Sequence, residues 1–112
     1  MRASLSDLLQ TLLNTHLSGS GWDYSWEVES HGNTFICETY YHPMNEHGFY
    51  DESFGVKFTL DFDFEVLRVS YRCPSRLRHR YVRGQQDYYE SCIYNAMQII
   101  EPIIREGIGN IV

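Results

Sequence analysis

Apolar and polar residues first follow the period of a helix. Between Ser4 and Leu17, five leucines recur at intervals of three and four residues, as one face of an amphipathic helix requires: Leu5, Leu8, Leu9, Leu12 and Leu13. Ser4 or Ser6 can cap the start, and Asp7 is favourable near the positive end of the helix dipole. Residues 18–21 (SGSG) then end the helix, because glycine adopts the left-handed conformation at little cost.

The pattern then changes to strict alternation, which predicts strands. Trp22–Glu29 alternates aromatic or apolar with polar residues, and after a turn Thr34–His42 is again rich in strand-forming types. Ser53–Cys73 is too long for one strand, and its apolar phase switches after Val66. We therefore predict a hairpin with a turn or bulge near Asp61–Val66, ended by Pro74.

A second helical period occupies the last quarter of the chain, from Gln86 to about Arg105. Its apolar stripe has seven members: Tyr89, Ile93, Ala96, Met97, Ile100, Ile103 and Ile104. Pro102 is expected to kink this helix or to end it early, and Gly107 and Gly109 are expected to stop what remains.

These elements predict one α+β domain over residues 1–112. We expect an N-terminal helix, a four-stranded antiparallel meander and a long C-terminal helix, with both helices packed on one sheet face. The other face would then present carboxylates to solvent: Asp23, Glu27, Glu29, Asp61, Asp63 and Glu65.

Composition limits the class of protein. The charge is −6, the apolar share of 43% suits a folded domain, and no apolar run has the length of a membrane span. The N-terminus lacks the design of a secretory signal, and three widely spaced cysteines are typical of reduced thiols. We expect a protein of the cytoplasm, which would be the host cytoplasm if a phage encodes it, with no membrane contact.

Charge is distributed unevenly along the chain. Residues 1–65 hold two cations and eleven acids, a net charge of −9, whereas residues 66–112 hold seven cations and four acids, a net charge of +3. Six of the nine cations are arginines between Arg68 and Arg83. Arg68 and Arg72 belong to the last predicted strand, so the basic row proper follows Pro74.

We call residues Arg76, Arg78, Arg80 and Arg83 the arginine row. Guanidinium groups bind phosphates and carboxylates in a bidentate manner, and the ring of Tyr81 can stack on a base. The alternative is that these arginines neutralise the protein's own acids, because exposed ion pairs contribute little. Phe49 and Tyr50, in the irregular loop from Pro43 to Glu52, are candidate anchors for a partner.

Asp61, Asp63 and Glu65 form a candidate second surface. They could imitate a phosphate backbone, could be an ordinary solvated sheet face, or, if one strand holds all three on one side, could bind Mg²⁺ in an enzyme. Cysteines and histidines lack zinc-site spacing, and no phosphate loop or catalytic motif is present. We predict no cofactor and no metal, and a protein without enzymatic activity.

The leading hypothesis is a small acidic module that binds a protein partner. It would inhibit or assist a nucleic-acid-handling complex by occupancy, a mode shared with phage-borne anti-defence proteins such as anti-CRISPR proteins, and this analogy rests on size and charge. The alternative is a nucleic-acid-binding module that uses the arginine row and nearby tyrosines. The oligomeric state is open.

Overall fold

A computed structural model describes residues 4–19, 21–22, 25–44, 47–77 and 85–111, with only the backbone at residues 77 and 108–111. Its helices are α1 (Leu5–His16) and α2 (Gln86–Ile111), with a short 3₁₀ helix at Ser75–Leu77. Its strands are β1 (Glu27–His31), β2 (Thr34–Tyr41), β3 (Phe54–Asp61) and β4 (Val66–Arg72). The strands form one antiparallel sheet in the order β1-β2-β3-β4, which confirms the predicted α+β meander.

The core lies between the two helices and one face of the sheet. Leu9 and Leu13 of α1 are fully buried, in the same cluster as Ile93, Ile100 and Ile104 of α2. The sheet contributes the inward residues of β2 and β3, which include Phe35, Cys37, Val56, Phe58 and Leu60. The alternation read from the sequence of β3 is therefore the alternation between core and solvent.

Helix α1 begins as predicted. The Ser4 hydroxyl accepts a hydrogen bond from the Asp7 amide at 3.1 Å, so Ser4 is the N-cap. At the other end, the Leu17 amide donates to the Leu13 carbonyl at 2.7 Å.

The first strand begins five residues later than predicted. The rings of Trp22 and Trp26 stack with centroids 5.9 Å apart, whereas residues four apart in a strand are separated by about 13 Å. The chain folds back because Trp22 pairs with Gly19 in a tight turn and forms an isolated bridge to Tyr41. The prediction of a strand over Trp22–Glu29 is therefore wrong at Trp22, Ser25 and Trp26, whereas Asp23 and Tyr24 lie outside the described residues.

The hairpin between β3 and β4 contains both devices that the phase switch predicted. Phe62 and Asp63 form the turn, and the register shifts between Thr59 and Leu60. Leu67 is the extra residue of this bulge and is exposed, although its alternation predicted that it would lie inward.

Helix α2 does not end at Pro102, Gly107 or Gly109. It runs from Gln86 to Ile111, with the Pro102 ring exposed. A proline inside a helix costs about 3 kcal/mol because a backbone hydrogen bond is lost. Ile100 and Ile104 are fully buried on either side of Pro102, and this burial offsets that cost.

Gly21 connects the segment before β1 to the end of β2 through a backbone hydrogen bond. Its φ is +101°, a Cβ added there would lie 2.8 Å from the His42 carbonyl oxygen, and its own carbonyl accepts the His42 amide at 2.7 Å. We expect Gly21→Ala to lower the free energy of unfolding by about 2–3 kcal/mol, as measured by urea denaturation.

Gly32→Ala is the matched control for that measurement. Gly32 also has a positive φ, +60°, but a Cβ there would meet nothing within 4 Å. The conformational cost alone is about 1 kcal/mol. Equal losses at the two glycines would show that the contact with His42 has no energetic consequence.

Candidate binding surfaces

An exposed aromatic loop projects from the end of the sheet where β2 stops and β3 starts. Met44, Phe49 and Tyr50 are exposed by 57%, 71% and 58%. Met44 and Tyr50 form an isolated bridge, and the Asp51 amide donates to the Pro43 carbonyl at 2.7 Å. Within the loop that the sequence predicted to be irregular, the backbone is thus paired between Met44 and Tyr50.

The start of the arginine row lies against this loop. Arg76, in the 3₁₀ helix, forms an ion pair through its guanidinium with the Glu52 carboxylate, and its side chain remains 74% exposed. Twenty-four positions separate the two residues in sequence. We call Met44, Phe49, Tyr50 and Arg76 the aromatic–arginine end of the molecule.

The other proposed members of the arginine row are not covered by the structure. Arg78, Arg80, Arg83 and Tyr81 lie outside the described residues. Arg76 has a partner within its own chain, the Glu52 carboxylate. For Arg76, this contact agrees with the alternative interpretation that the arginine row neutralises the protein's own acids.

The acidic residues Asp61, Asp63 and Glu65 lie at the opposite end of the sheet. Asp61 is the last residue of β3, Asp63 is in the turn, and the Asp61 carboxylate accepts the Glu65 amide at 2.9 Å. The alignment of three carboxylates along one strand, on which the magnesium hypothesis depended, is therefore wrong. Among the described residues, no group of three or more His, Cys, Asp or Glu is placed to hold a metal ion.

The two ends are far apart. Strand β3 runs from Phe54, beside the aromatic loop, to Asp61, and seven steps at about 3.4 Å give roughly 24 Å. Asp61, Asp63 and Glu65 therefore cannot belong to the same compact contact site as Phe49, Tyr50 and Arg76.

The outward face of the sheet is a third surface, which we call the open face. The register aligns its side chains in rows across the strands: Glu27–Glu38–Lys57–Ser70, Glu29–Ile36–Thr59–Arg68 and Tyr40–Gly55–Arg72. Both helices contribute to the core on the other side, and within the described ranges no element packs here. A shallow groove of about 670 Å³, lined by residues such as Glu38, Tyr40, Lys57 and Arg72, crosses this face.

The open face has a charge gradient, whereas the sequence predicted a face that presents carboxylates to solvent. Glu27, Glu29 and Glu38 lie on β1 and β2, whereas Lys57, Arg68 and Arg72 lie on β3 and β4, with Asp61 at the end of β3. Lys57 pairs with Glu38 at 3.5 Å. Sequence reasoning assigned Arg68 and Arg72 to a strand correctly but did not place them on the same sheet face as these acids, because that placement follows only from strand pairing.

A cluster of tyrosines underlies the aromatic–arginine end. The Tyr89 ring lies 4.6 Å from that of Tyr41 and 5.6 Å from that of Tyr71. The Tyr89 hydroxyl donates to the Gln85 side chain at 2.8 Å. Burial raises the pKa of Tyr71 and of Tyr89 well above the ordinary tyrosine value of 10.0.

The raised pKa values predict a loss of stability at alkaline pH. Below about pH 10 both states keep these protons, whereas above it the unfolded chain releases two protons that the folded chain retains. The free energy of unfolding should therefore fall with rising pH from about pH 9, because burial also raises the pKa of Cys37. Above about pH 10 the fall should be steeper, because Tyr71 and Tyr89 add about two protons to the slope. Urea denaturation between pH 8 and pH 11 measures it. Tyr71→Phe/Tyr89→Phe should reduce the slope above about pH 10 by about these two protons, and an unchanged slope would contradict the assignment.

Comparisons with protein-family models, with curated proteins and with solved structures found no match. In the part of the chain that the structure describes, no helix combines the length and the apolar character needed to cross a membrane.

Proposed function

We propose that this protein is a binding module that recognises a protein partner through its aromatic–arginine end. It acts by occupancy, as a non-catalytic inhibitor or accessory factor of a nucleic-acid-handling complex. The observation that carries the proposal is the ion pair between Glu52 and Arg76, which joins the exposed aromatic loop to the start of the arginine row.

The composition of this end supports protein recognition. Tyrosine and arginine are enriched among the residues that dominate interface energies, and large apolar side chains such as Phe49 and Met44 supply area that a partner can desolvate. The bridge between Met44 and Tyr50 reduces the ordering cost of binding, because the loop is already folded.

Partner capture with matched variants tests the proposal. The tagged protein is incubated with an extract of its source cells, with and without nuclease, and captured partners are quantified by mass spectrometry. We expect at least one protein to be retained after nuclease treatment. Phe49→Ala/Tyr50→Ala should reduce that retention by about three-fold to ten-fold, because two exposed anchors are truncated.

Phe62→Ala is the control. Phe62 is exposed by 53% in the β3–β4 turn, at the other end of the sheet, so its removal deletes an exposed aromatic ring away from the proposed contact. Retention that falls equally in both variants would contradict the assignment to the aromatic–arginine end.

Nucleic-acid binding by the arginine row is the alternative outcome of the same experiment. In that case retention would disappear with nuclease, and affinity for duplex DNA would fall steeply with salt. Neutralising about four phosphates gives a slope near −3.6 in a plot of log affinity against log salt.

A further inference from the structure

The proposed partner contact does not use the open face. Acidic residues lie toward one edge of this face and basic residues toward the other, so the open faces of two copies are complementary in charge. We propose that a second copy of this chain docks on this surface, face to face, about a two-fold axis parallel to the strands between β2 and β3. This axis exchanges β1 with β4 and β2 with β3, so Glu29 and Glu38 face Arg68 and Lys57 of the other copy.

The register gives the contacts within each row. In one row, Glu38 of β2 lies over Lys57 of β3 in the other copy. Within each copy, Glu38 and Lys57 already form a pair at 3.5 Å, so the two copies together form a group of four charges of alternating sign. In the next row, Glu29 of β1 lies over Arg68 of β4. All four side chains are exposed in the isolated chain, so no core residue has to move.

An unfavourable contact within the chain supports the same arrangement. Glu27 and Glu38 are direct partners across β1 and β2, and like charges placed opposite each other destabilise a sheet. Lys57 is one cation for these two acids. In the dimer, Ser70 of the facing β4 lies opposite Glu27, and Arg68 and Arg72 flank Ser70 on this face. These arginines would supply the second cation.

The two central strands carry a side chain that suits a contact across a two-fold axis, at the end of the sheet where β2 stops. Tyr40 is exposed by 56%, and its ring edge lies 3.9 Å from where a Cβ of Gly55 would be. Each Tyr40 ring therefore leans from β2 toward β3, which is toward the axis, and the two rings of a dimer meet there. Packed sheets cross at about −30°, which shifts outer rows by a few ångströms, within reach of Arg and Glu side chains.

The available area predicts a weak dimer. Four strands about 4.8 Å apart and seven residues long at about 3.4 Å give roughly 450 Å² per copy and roughly 900 Å² in all, near the lower limit for specific interfaces. Association should therefore be seen at tens to hundreds of micromolar protein and should weaken with salt, since the contacts are largely charged.

Sedimentation velocity on two charge-reversed variants tests the proposal. Lys57→Glu/Arg68→Glu makes the face acidic, and Glu29→Lys/Glu38→Lys makes it mostly basic. The wild type should dimerise reversibly in about 50 mM salt, each variant alone should dimerise at least about ten-fold more weakly, and an equimolar mixture should form a heterodimer. Thermal unfolding of each variant confirms that it folds.

The mixture separates the interchain pairs from the intrachain pairs, because each variant breaks the contact between Glu38 and Lys57 within its own chain, and Glu29→Lys also breaks the contact between Glu29 and His31. A wild type that stays monomeric up to about 1 mM overturns the proposal. Variants that dimerise as well as the wild type, or a mixture that stays monomeric, also overturn it. None of these outcomes bears on the aromatic–arginine end.

Discussion

Replacing Trp26 by alanine is expected to lower the free energy of unfolding by about 3–5 kcal/mol, the usual range for a buried tryptophan. Trp26 is fully buried, and its ring contacts Trp22 and Phe58 at centroid distances of 5.9 and 5.4 Å. Its indole N–H donates to the Leu17 carbonyl at 2.8 Å, and its amide donates to Asn14 at 2.7 Å. One side chain thus joins α1 to the sheet.

Guanidinium denaturation, followed by circular dichroism, measures this loss. Trp26→Phe is the conservative comparison: it keeps an aromatic ring but removes the donor to Leu17, and we expect it to cost about 1–3 kcal/mol. Phe62→Ala, at an exposed turn, should change stability by less than about 0.5 kcal/mol. A Trp26→Ala loss as small as that of Phe62→Ala would refute the view that Trp26 joins helix to sheet.

Reversing the arginine row is the second large expected effect, this time on affinity. A variant with Glu at positions 76, 78, 80 and 83 should bind the captured partner at least ten-fold more weakly, about 1.4 kcal/mol, while its unfolding curve stays close to that of the wild type. The physical reason is that four cations become four anions on a surface proposed to meet a complementary partner.

Arginine-to-lysine substitution at the same four positions separates charge from geometry. Lysine keeps the positive charge but cannot form the planar bidentate fork. Affinity that survives this change but not the reversal would show that charge alone is recognised. Unchanged affinity in the reversed variant, measured by isothermal titration calorimetry, would remove the arginine row from the proposed site.

The fold could be predicted largely from sequence because local patterns agreed with the final packing. The leucine spacing of α1 and the alternation in β3 each report directly which side of an element is buried. The errors arose where a distant contact decided the outcome. Trp22–Glu29 alternates as a strand would, yet the bridge to Tyr41 turns the chain at Trp22. Pro102 predicts a helix end, yet burial of Ile100 and Ile104 continues the helix.

The candidate surfaces were less predictable for the same reason. Phe49 and Tyr50 could be identified as exposed anchors, since they lie in a loop without periodicity. Their proximity to Arg76 could not, because it depends on how β3 and β4 return the chain to the same end of the sheet. The gradient of the open face likewise needs the pairing of all four strands, since each strand alone shows only one or two charges.

The chain order has a consequence for synthesis of the protein. Every strand pairs with its neighbour in sequence, so the sheet can form from local hairpins. Its apolar face, with Phe58 and Leu60, is covered partly by α2, which the ribosome makes after all four strands and which approaches α1 at Gly107 and Leu8. During translation the nascent sheet therefore exposes that face until residues 86–111 emerge, and this interval is when the chain is most prone to aggregate.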